Sequence, residues 1–201
     1  MSVLDVGCFD GFYAFVAERR GAEHVVAIDN EQYRLWVASR WGVELRGGEG
    51  FRAVHRLLRS AVEYRRMDAF ALDGLEERFD LVYCFGILHR VENPLGLLRV
   101  LRGRTVSGGM VLVETYGVGP EDRNDPAIRI SEPREVYARD EFDCWGFGDA
   151  GLQRLAQIAG FSRVEFVHQR GDPRPHADHR LAGRLERSGD GVLHNLFTRR
   201  S

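Results

Sequence analysis

The chain contains no lysine; all 28 of its permanently basic residues are arginine. This reads as the codon bias of a GC-rich genome, and it leaves arginine as the one side chain able to hold an anionic ligand group by a fixed charge. Cysteine is scarce. Cys8, Cys84 and Cys144 lie too far apart for a metal clip, and an odd count does not build a disulfide framework. The simplest setting is a reducing cytoplasm. No apolar run reaches the roughly 20 residues that a bilayer helix needs. No basic stretch followed by an apolar one marks a secretory signal at the N-terminus. Neither sign of charge is in large excess: the formal net charge is −2, and the whole chain carries no nucleic-acid signature. Repeats, low-complexity segments and a break between two domains are all absent, so residues 1–201 read as a single domain.

What is present is an alternation of short apolar runs and helical patterns. Residues 3–6, 24–28, 62–66, 79–85, 109–115 and 161–168 read as strands, with a last strand at 192–199. Residues 12–20, 31–40, 51–58, 94–102 and 149–159 read as helices. Arg19, Arg20 and Gly21 stop the first of these, and Asn93 before Pro94 caps the fourth. Strands alternating with helices imply a doubly wound, mainly parallel sheet covered on both faces, with right-handed crossovers. Charge is uneven along this frame. Residues 117–149 hold nine acids and four arginines, a balance of −5; residues 170–201 hold seven arginines and four acids, a balance of +3. The stretch at 117–148 is acidic, weakly periodic and lid-like. Its aromatics Tyr137, Phe142, Trp145 and Phe147 leave three uses open: closing over a ligand, anchoring the loop to the core, or forming a homodimer interface. His176 and His179 form a pair without the third ligand that a metal site needs, and no metal is expected.

The chemistry concentrates in "LDVGCFDGFYAF", residues 4–15. This is a buried strand, a glycine turn and a helix start. In a doubly wound sheet, such a turn faces the ligand beyond the carboxyl ends of the strands. Gly7 and Gly11 frame it, but Phe9 and Asp10 stand where a dinucleotide's pyrophosphate would approach. An acid beside a pyrophosphate is unfavourable by sign. S-adenosylmethionine has a sulfonium and an ammonium group and no phosphate, and it suits an acidic, aromatic wall. Asp29, 18 residues after Gly11 at the end of the second strand, is placed to accept both hydroxyls of a ribose.

"VLDVGCFDGFYAF", "VVAID", "RRMDAF", "FDLVYCFGILHRVENPLGLL" and "GGMVLVETYG" occur in the order shown by class I S-adenosylmethionine-dependent methyltransferases. Over nearly the whole chain the sequence resembles that superfamily. It is most similar to the branch of tRNA wobble-uridine carboxymethyltransferases and their small methyltransferase relatives. The resemblance implies a Rossmann-like methyltransferase fold: an α/β, mainly parallel seven-stranded sheet with its last strand antiparallel. It also implies that Asp5, Gly7, Cys8, Phe9, Asp10 and Gly11 line the methionine end of the cofactor. Asp29 would then hold the ribose, with Asn30 beside the adenine. Asp68 would accept from the adenine amino group, flanked by Ala69 and Phe70, and Phe85 and Gly86 would pass under the methionine.

For the reaction, His89 is a candidate base, since an ordinary imidazole pKa near 6.5 suits proton abstraction at neutral pH. The alternative is that it packs against the cofactor or satisfies a backbone group. Relatives carry their histidine one position later, where Arg90 stands here. Glu114 is a second catalytic candidate, and Tyr13, Arg90, Tyr116 and Trp145 are candidates for the substrate side. The expected activity is methyl transfer from S-adenosyl-L-methionine to an oxygen or nitrogen of a small molecule, releasing S-adenosyl-L-homocysteine. A tRNA wobble-uridine carboxymethyltransferase-like enzyme and a non-catalytic methyltransferase-derived binding protein are the alternatives. The acidic 117–148 stretch lacks the cationic path that RNA needs, which favours the small molecule.

Overall fold

A computed structural model describes residues 1–117, 126–130, 144–168 and 180–186. The chain runs β1 (Ser2–Val6), α1 (Phe12–Arg19), β2 (His24–Asp29), α2 (Tyr33–Trp41), α3 (Glu49–Leu58), β3 (Glu63–Arg66), a 3-10 turn (Ala69–Gly74) and β4 (Phe79–Phe85). It continues through α4 (Pro94–Gly103), β5 (Thr105–Tyr116), β6 (Ile128–Ile130), β7 (Trp145–Phe147), α5 (Asp149–Ala159), β8 (Arg163–His168) and β9 (Arg180–Glu186). The expected stretch 192–199 lies outside the described residues, as do His176 and His179. The strand beside β5 is instead Arg180–Glu186, a stretch to which the sequence reading assigns no element. No helix among the described residues is long and apolar enough to cross a membrane.

The architecture is α/β and Rossmann-like around a mainly parallel sheet of order β3-β2-β1-β4-β5-β9-β8. β1 pairs in parallel with β2 and with β4, β2 with β3, and β4 with β5; β9 runs antiparallel to both β5 and β8. The chain builds outward from β1 to β3, then returns to the other side of β1 for β4. The carboxyl ends of β1 and β4 therefore border the crevice where the winding direction reverses, which is where ligands bind in such sheets.

Period-2 alternation divides the core. Leu4, Val6, Val26, Ile28, Val82, Cys84, Val111 and Val113 pack on one face with Leu97, Leu98 and Leu101 of α4 and Leu152 and Ala156 of α5. Val3, Val25, Ala27, Leu81, Met110 and Leu112 form the other core with Ala14 and Phe15 of α1 and Phe51 of α3. Strands buried on both faces explain why β1 and β2 read as continuous apolar runs. Each fully buried leucine of α4 contributes about 1.5–3 kcal/mol. α4 starts where the Asn93 side chain accepts from the Gly96 amide at 2.8 Å with Pro94 in the first turn, and α5 stops at Gly160 in the left-handed region. α2 differs: it buries no residue and stands on the surface beside the crevice.

Candidate functional site

The glycine turn is held to β2 by its own backbone. The amides of Gly7 and Cys8 both donate to the Ile28 carbonyl, at 2.9 and 3.0 Å, and Gly11 donates to Cys8 at 2.8 Å. Gly7 and Gly11 both have positive φ, and a methyl at either would run into a side chain: Ile87 at Gly7, the rings of Phe51 and Phe15 at Gly11. Gly7→Ala is expected to lower stability by about 1–2 kcal/mol. That is the cost of the left-handed backbone alone, and Ile87, whose Cγ1 and Cδ1 both stand in the way of the new methyl, adds to it. Urea unfolding reads it, and an unchanged midpoint would refute the assignment. Phe9, in place of the usual glycine, also has a positive φ of 51°. Two contacts offset that strain. Its amide donates to Asp29 Oδ2 at 2.9 Å, and its ring meets Tyr33 edge-on at 4.7 Å.

Four carboxylates gather around this turn. Asp5 is only 2% exposed, and its Oδ2 accepts from the Ala14 amide at 3.1 Å, tying β1 to the first turn of α1. Burial pushes its carboxyl up to about 7; the Ala14 amide opposes this and the Asp29 charge adds to it. Asp29 is likewise raised by burial, against the pull of the Phe9 and Glu31 amides and with the charges of Glu31 and Asp10 adding to the rise. Asp10 is exposed and lies against Gly50 at the start of α3. Burial also raises the Cys8 thiol well above its ordinary range, which keeps it in the protonated thiol form.

Glu31 is the residue that the sequence reading missed. It was placed in the second helix, but it precedes α2 with φ of 62° and is 2% exposed. Its carboxylate accepts from the Tyr64 hydroxyl at 2.9 Å and pairs with Arg66 at 3.1 Å. Gly47 and Gly48 lie close to it, and the Gly48 amide donates to the Tyr33 hydroxyl at 2.7 Å. The loop at 46–50 is thereby held against Glu31 and Tyr33. The paired glycines at 47 and 48 were the available sequence signal.

On the second edge, Asn30 Nδ2 donates to Asp68 Oδ2 at 3.1 Å, joining the ends of β2 and β3. Asp68 also accepts from the Phe70 amide at 2.9 Å and caps the 3-10 turn, so one carboxylate serves the cap and faces this edge. Ala69 is half-buried and Phe70 exposed beside it. Phe85 ends β4 in register with Glu114, and the Gly86 amide donates to the Glu114 carbonyl at 3.0 Å.

The loop between β4 and α4 places two further candidates, His89 and Trp145. His89 is buried. Its Nδ1 lies 3.3 Å from both the Tyr116 amide and Thr115 Oγ1. A backbone amide only donates, so Nδ1 is the acceptor toward Tyr116. The His89 carbonyl also accepts from the Cys144 and Trp145 amides. The residue thus joins the end of β5 to the start of β7, and service as a base through Nδ1 requires breaking that link. Trp145, expected on the substrate side, donates its indole N–H to the Val91 carbonyl at 2.7 Å and packs against the core; Phe147 is wholly buried. Both anchor this part of the 117–148 stretch, while Tyr137 and Phe142 lie outside the described residues. Arg90 is exposed, and Tyr116 is half-buried at the strand end.

The family described as "Methyltransferase domain" matches residues 4–113. A tRNA U34 carboxymethyltransferase of Campylobacter hominis is 29% identical over 120 residues, covering 60% of this chain and 38% of its own length. The enzyme of that name from Actinobacillus pleuropneumoniae serotype 3 is 28% identical over 175 residues, covering 84% of this chain and 47% of its own. The chain thus spans less than half the length of these relatives. Among solved structures, the Burkholderia thailandensis 1,6-didemethyltoxoflavin-N1-methyltransferase, with bound 1,6-didemethyltoxoflavin and S-adenosylhomocysteine, has a similar fold. It superimposes with a TM-score of 0.68 at 18% identity, over 94% of this chain and 71% of that one.

Proposed function

The chain belongs to the methyltransferase domain family, and on that premise we propose that it moves a methyl group from S-adenosylmethionine to an oxygen or nitrogen of a small-molecule acceptor. The observation that carries this reading is the charge of the crevice. Asp10, Asp29 and Glu31 surround the first turn, with Asp5 buried behind it, and the Arg66 guanidinium is paired with Glu31. Such a site favours a cationic adenosyl ligand and repels a pyrophosphate. When bound, S-adenosylmethionine supplies an electrophilic methyl carbon: the acceptor's lone pair forms the new bond, the carbon–sulfur pair returns to sulfur, and the acceptor's proton passes to solvent.

The protein's part is alignment more than proton transfer. Asp29 orients the ribose while its own oxygens order the Phe9 and Glu31 amides. The Asn30–Asp68 pair and Phe70 border the adenine. Loop residues 7–11 and Phe85–Gly86 flank the methionine arm. His89 is a positioning residue that holds Tyr116, and with it the rim carrying Glu114, against the β4–α4 loop.

A second reading, transfer to a tRNA wobble uridine, is favoured by the similarity to enzymes of that name over 84% of the chain. It requires a cationic partner for a carboxylated cofactor, and Arg90, within the matched motif after β4, is a candidate for it.

Titration calorimetry with S-adenosylmethionine, S-adenosylhomocysteine and NAD separates these ideas from the alternatives. Binding of both adenosyl ligands near the micromolar range, about −8 kcal/mol, is expected, with none for NAD. A folded sample that binds neither adenosyl ligand would sink the proposal. Binding without transfer to any offered acceptor, tRNA included, would mark a non-catalytic binding protein.

A further inference from the structure

A glutamate between the end of a strand and a surface helix is ordinarily solvated and has an ordinary backbone. Glu31, between β2 and α2, is neither. It is 2% exposed, and its φ of 62° lies in the left-handed region that side chains rarely adopt. Strain of this kind persists only where the surroundings over-determine it, and it clusters at functional sites.

The neighbours of Glu31 hold it there. Its carbonyl accepts from the Arg34 amide at 3.1 Å and from Arg34 Nε at 3.2 Å. Oε1 accepts from the Tyr64 hydroxyl at 2.9 Å, and Oε2 pairs with Arg66 Nε at 3.1 Å. Gly47 and Gly48 leave room for the carboxylate: a methyl on Gly47 would collide with Oε2, and one on Gly48 would stand 3.1 Å from Oε1.

The Glu31 amide is thereby fixed in direction, and it donates to Asp29 Oδ1, while the Phe9 amide donates to Oδ2 at 2.9 Å. One amide on each oxygen sets the plane of the Asp29 carboxylate. A carboxylate oxygen accepts about two hydrogen bonds, so each Asp29 oxygen keeps one position for a further donor. Two such positions in a fixed plane match the adjacent hydroxyls of a ribose. The arrangement has a cost, because the Glu31 charge adds to the forces that disfavour ionised Asp29. What the Glu31 carboxylate secures against that cost is the strained backbone that aims the amide.

We propose that Glu31 is a positioning residue for the cofactor: anchored by Tyr64 and Arg66, its backbone fixes Asp29 to receive both ribose hydroxyls, and so sets the preference for a ribose over a deoxyribose. The inference rests on the reading of this crevice as an S-adenosylmethionine site.

Glu31→Gly tests it, because glycine adopts the left-handed backbone without strain and keeps the amide while removing the anchor. Calorimetry on the full chain compares S-adenosylhomocysteine with its 2′-deoxyribose analogue. The parent is expected to prefer the ribose form by about 10- to 100-fold, the factor for one hydrogen bond to a charged acceptor. In Glu31→Gly that preference is expected to shrink by about three- to tenfold, with the loss falling on the ribose form. Glu31→Gln keeps an acceptor for the Tyr64 hydroxyl and should retain most of the preference. A role confined to holding the 46–50 loop would weaken both ligands alike. Equal losses for the two ligands, a parent-like preference in Glu31→Gly, or a parent that binds both ligands equally overturns the inference, while S-adenosylhomocysteine binding by the parent leaves the cofactor reading standing. If Glu31→Gly does not fold, Tyr64→Phe removes only the hydroxyl, and the same ratio decides: a reduced preference supports the positioning role and an unchanged one overturns it. Failure of the parent to bind S-adenosylhomocysteine overturns both readings.

Discussion

Asp29→Ala is expected to weaken S-adenosylmethionine binding by about 100-fold or more, because it removes two kinds of contact at once. A ribose bound at the end of β2 would lose two hydrogen bonds to a charged acceptor, each contributing about 1.5–3 kcal/mol. The turn itself would also lose its organiser. Asp29 Oδ2 accepts from Phe9, the residue held in a left-handed conformation, and Oδ1 accepts from Glu31, which is in the same strained region. Without that carboxylate, both amides lose their acceptor and the loops on either side of the adenosyl site relax. Asp29→Asn separates the two effects. It keeps an acceptor for one amide, and its affinity should fall between parent and alanine variant. Calorimetry with S-adenosylhomocysteine measures all three. Parent-like affinity in the alanine variant would mean that the ribose is held elsewhere.

The second large effect concerns pH. Asp5 is buried, with no countercharge against it among the described residues, and its carboxyl is pushed up to about 7 in the folded chain from an ordinary value of 3.8. The folded state therefore keeps a proton that the unfolded state releases. Stability from this group is highest at and below about pH 4, falls as pH rises toward 7, and stays level above that. The displacement from 3.8 to about 7 corresponds to roughly 4 kcal/mol between the two ends of that window. Asp5→Asn keeps an oxygen for the Ala14 amide at 3.1 Å and removes the titration. The variant should match the parent at the acid end and exceed it by several kcal/mol at pH 8. Urea unfolding of both proteins from pH 4.5 to 8 gives the difference curve. A difference that does not change with pH would show that Asp5 is not the titrating group.

Several parts of this protein were legible before any coordinates. The apolar run at 3–6, followed by Gly7, specified a buried strand and a turn, because only a strand covered on both faces has no polar alternation. Asn93 before Pro94 specified the start of α4, and the side chain does accept from Gly96. The acidic turn could be read as hostile to a pyrophosphate from Phe9 and Asp10 alone. These signals are local: each depends on residues a few positions apart, whose backbone geometry and charge do not need the rest of the chain.

Other parts were not legible, for reasons that lie in distance along the chain. Glu31 reads as an ordinary acid at the start of a helix; its burial depends on Tyr64 and Arg66 arriving from β3. His89 reads as a base until Tyr116 and Thr115 arrive at its Nδ1. Trp145 reads as a lid residue until Val91 takes its indole hydrogen. The strand Arg180–Glu186 has no strong pattern of its own, and its place is set by β5 on one side and β8 on the other.

The sequence by itself determined the order of the strands from β1 to β5 and of the helices between them, the glycine turn and the sign of charge around it, since these follow from short-range backbone preference and composition. The tertiary structure alone decided which acids are buried, what the His89 ring holds, and which aromatic rings the core takes up. Burial, hydrogen-bond partnership and ring geometry are properties of pairs brought together by the sheet, and no single stretch of chain contains both members of such a pair.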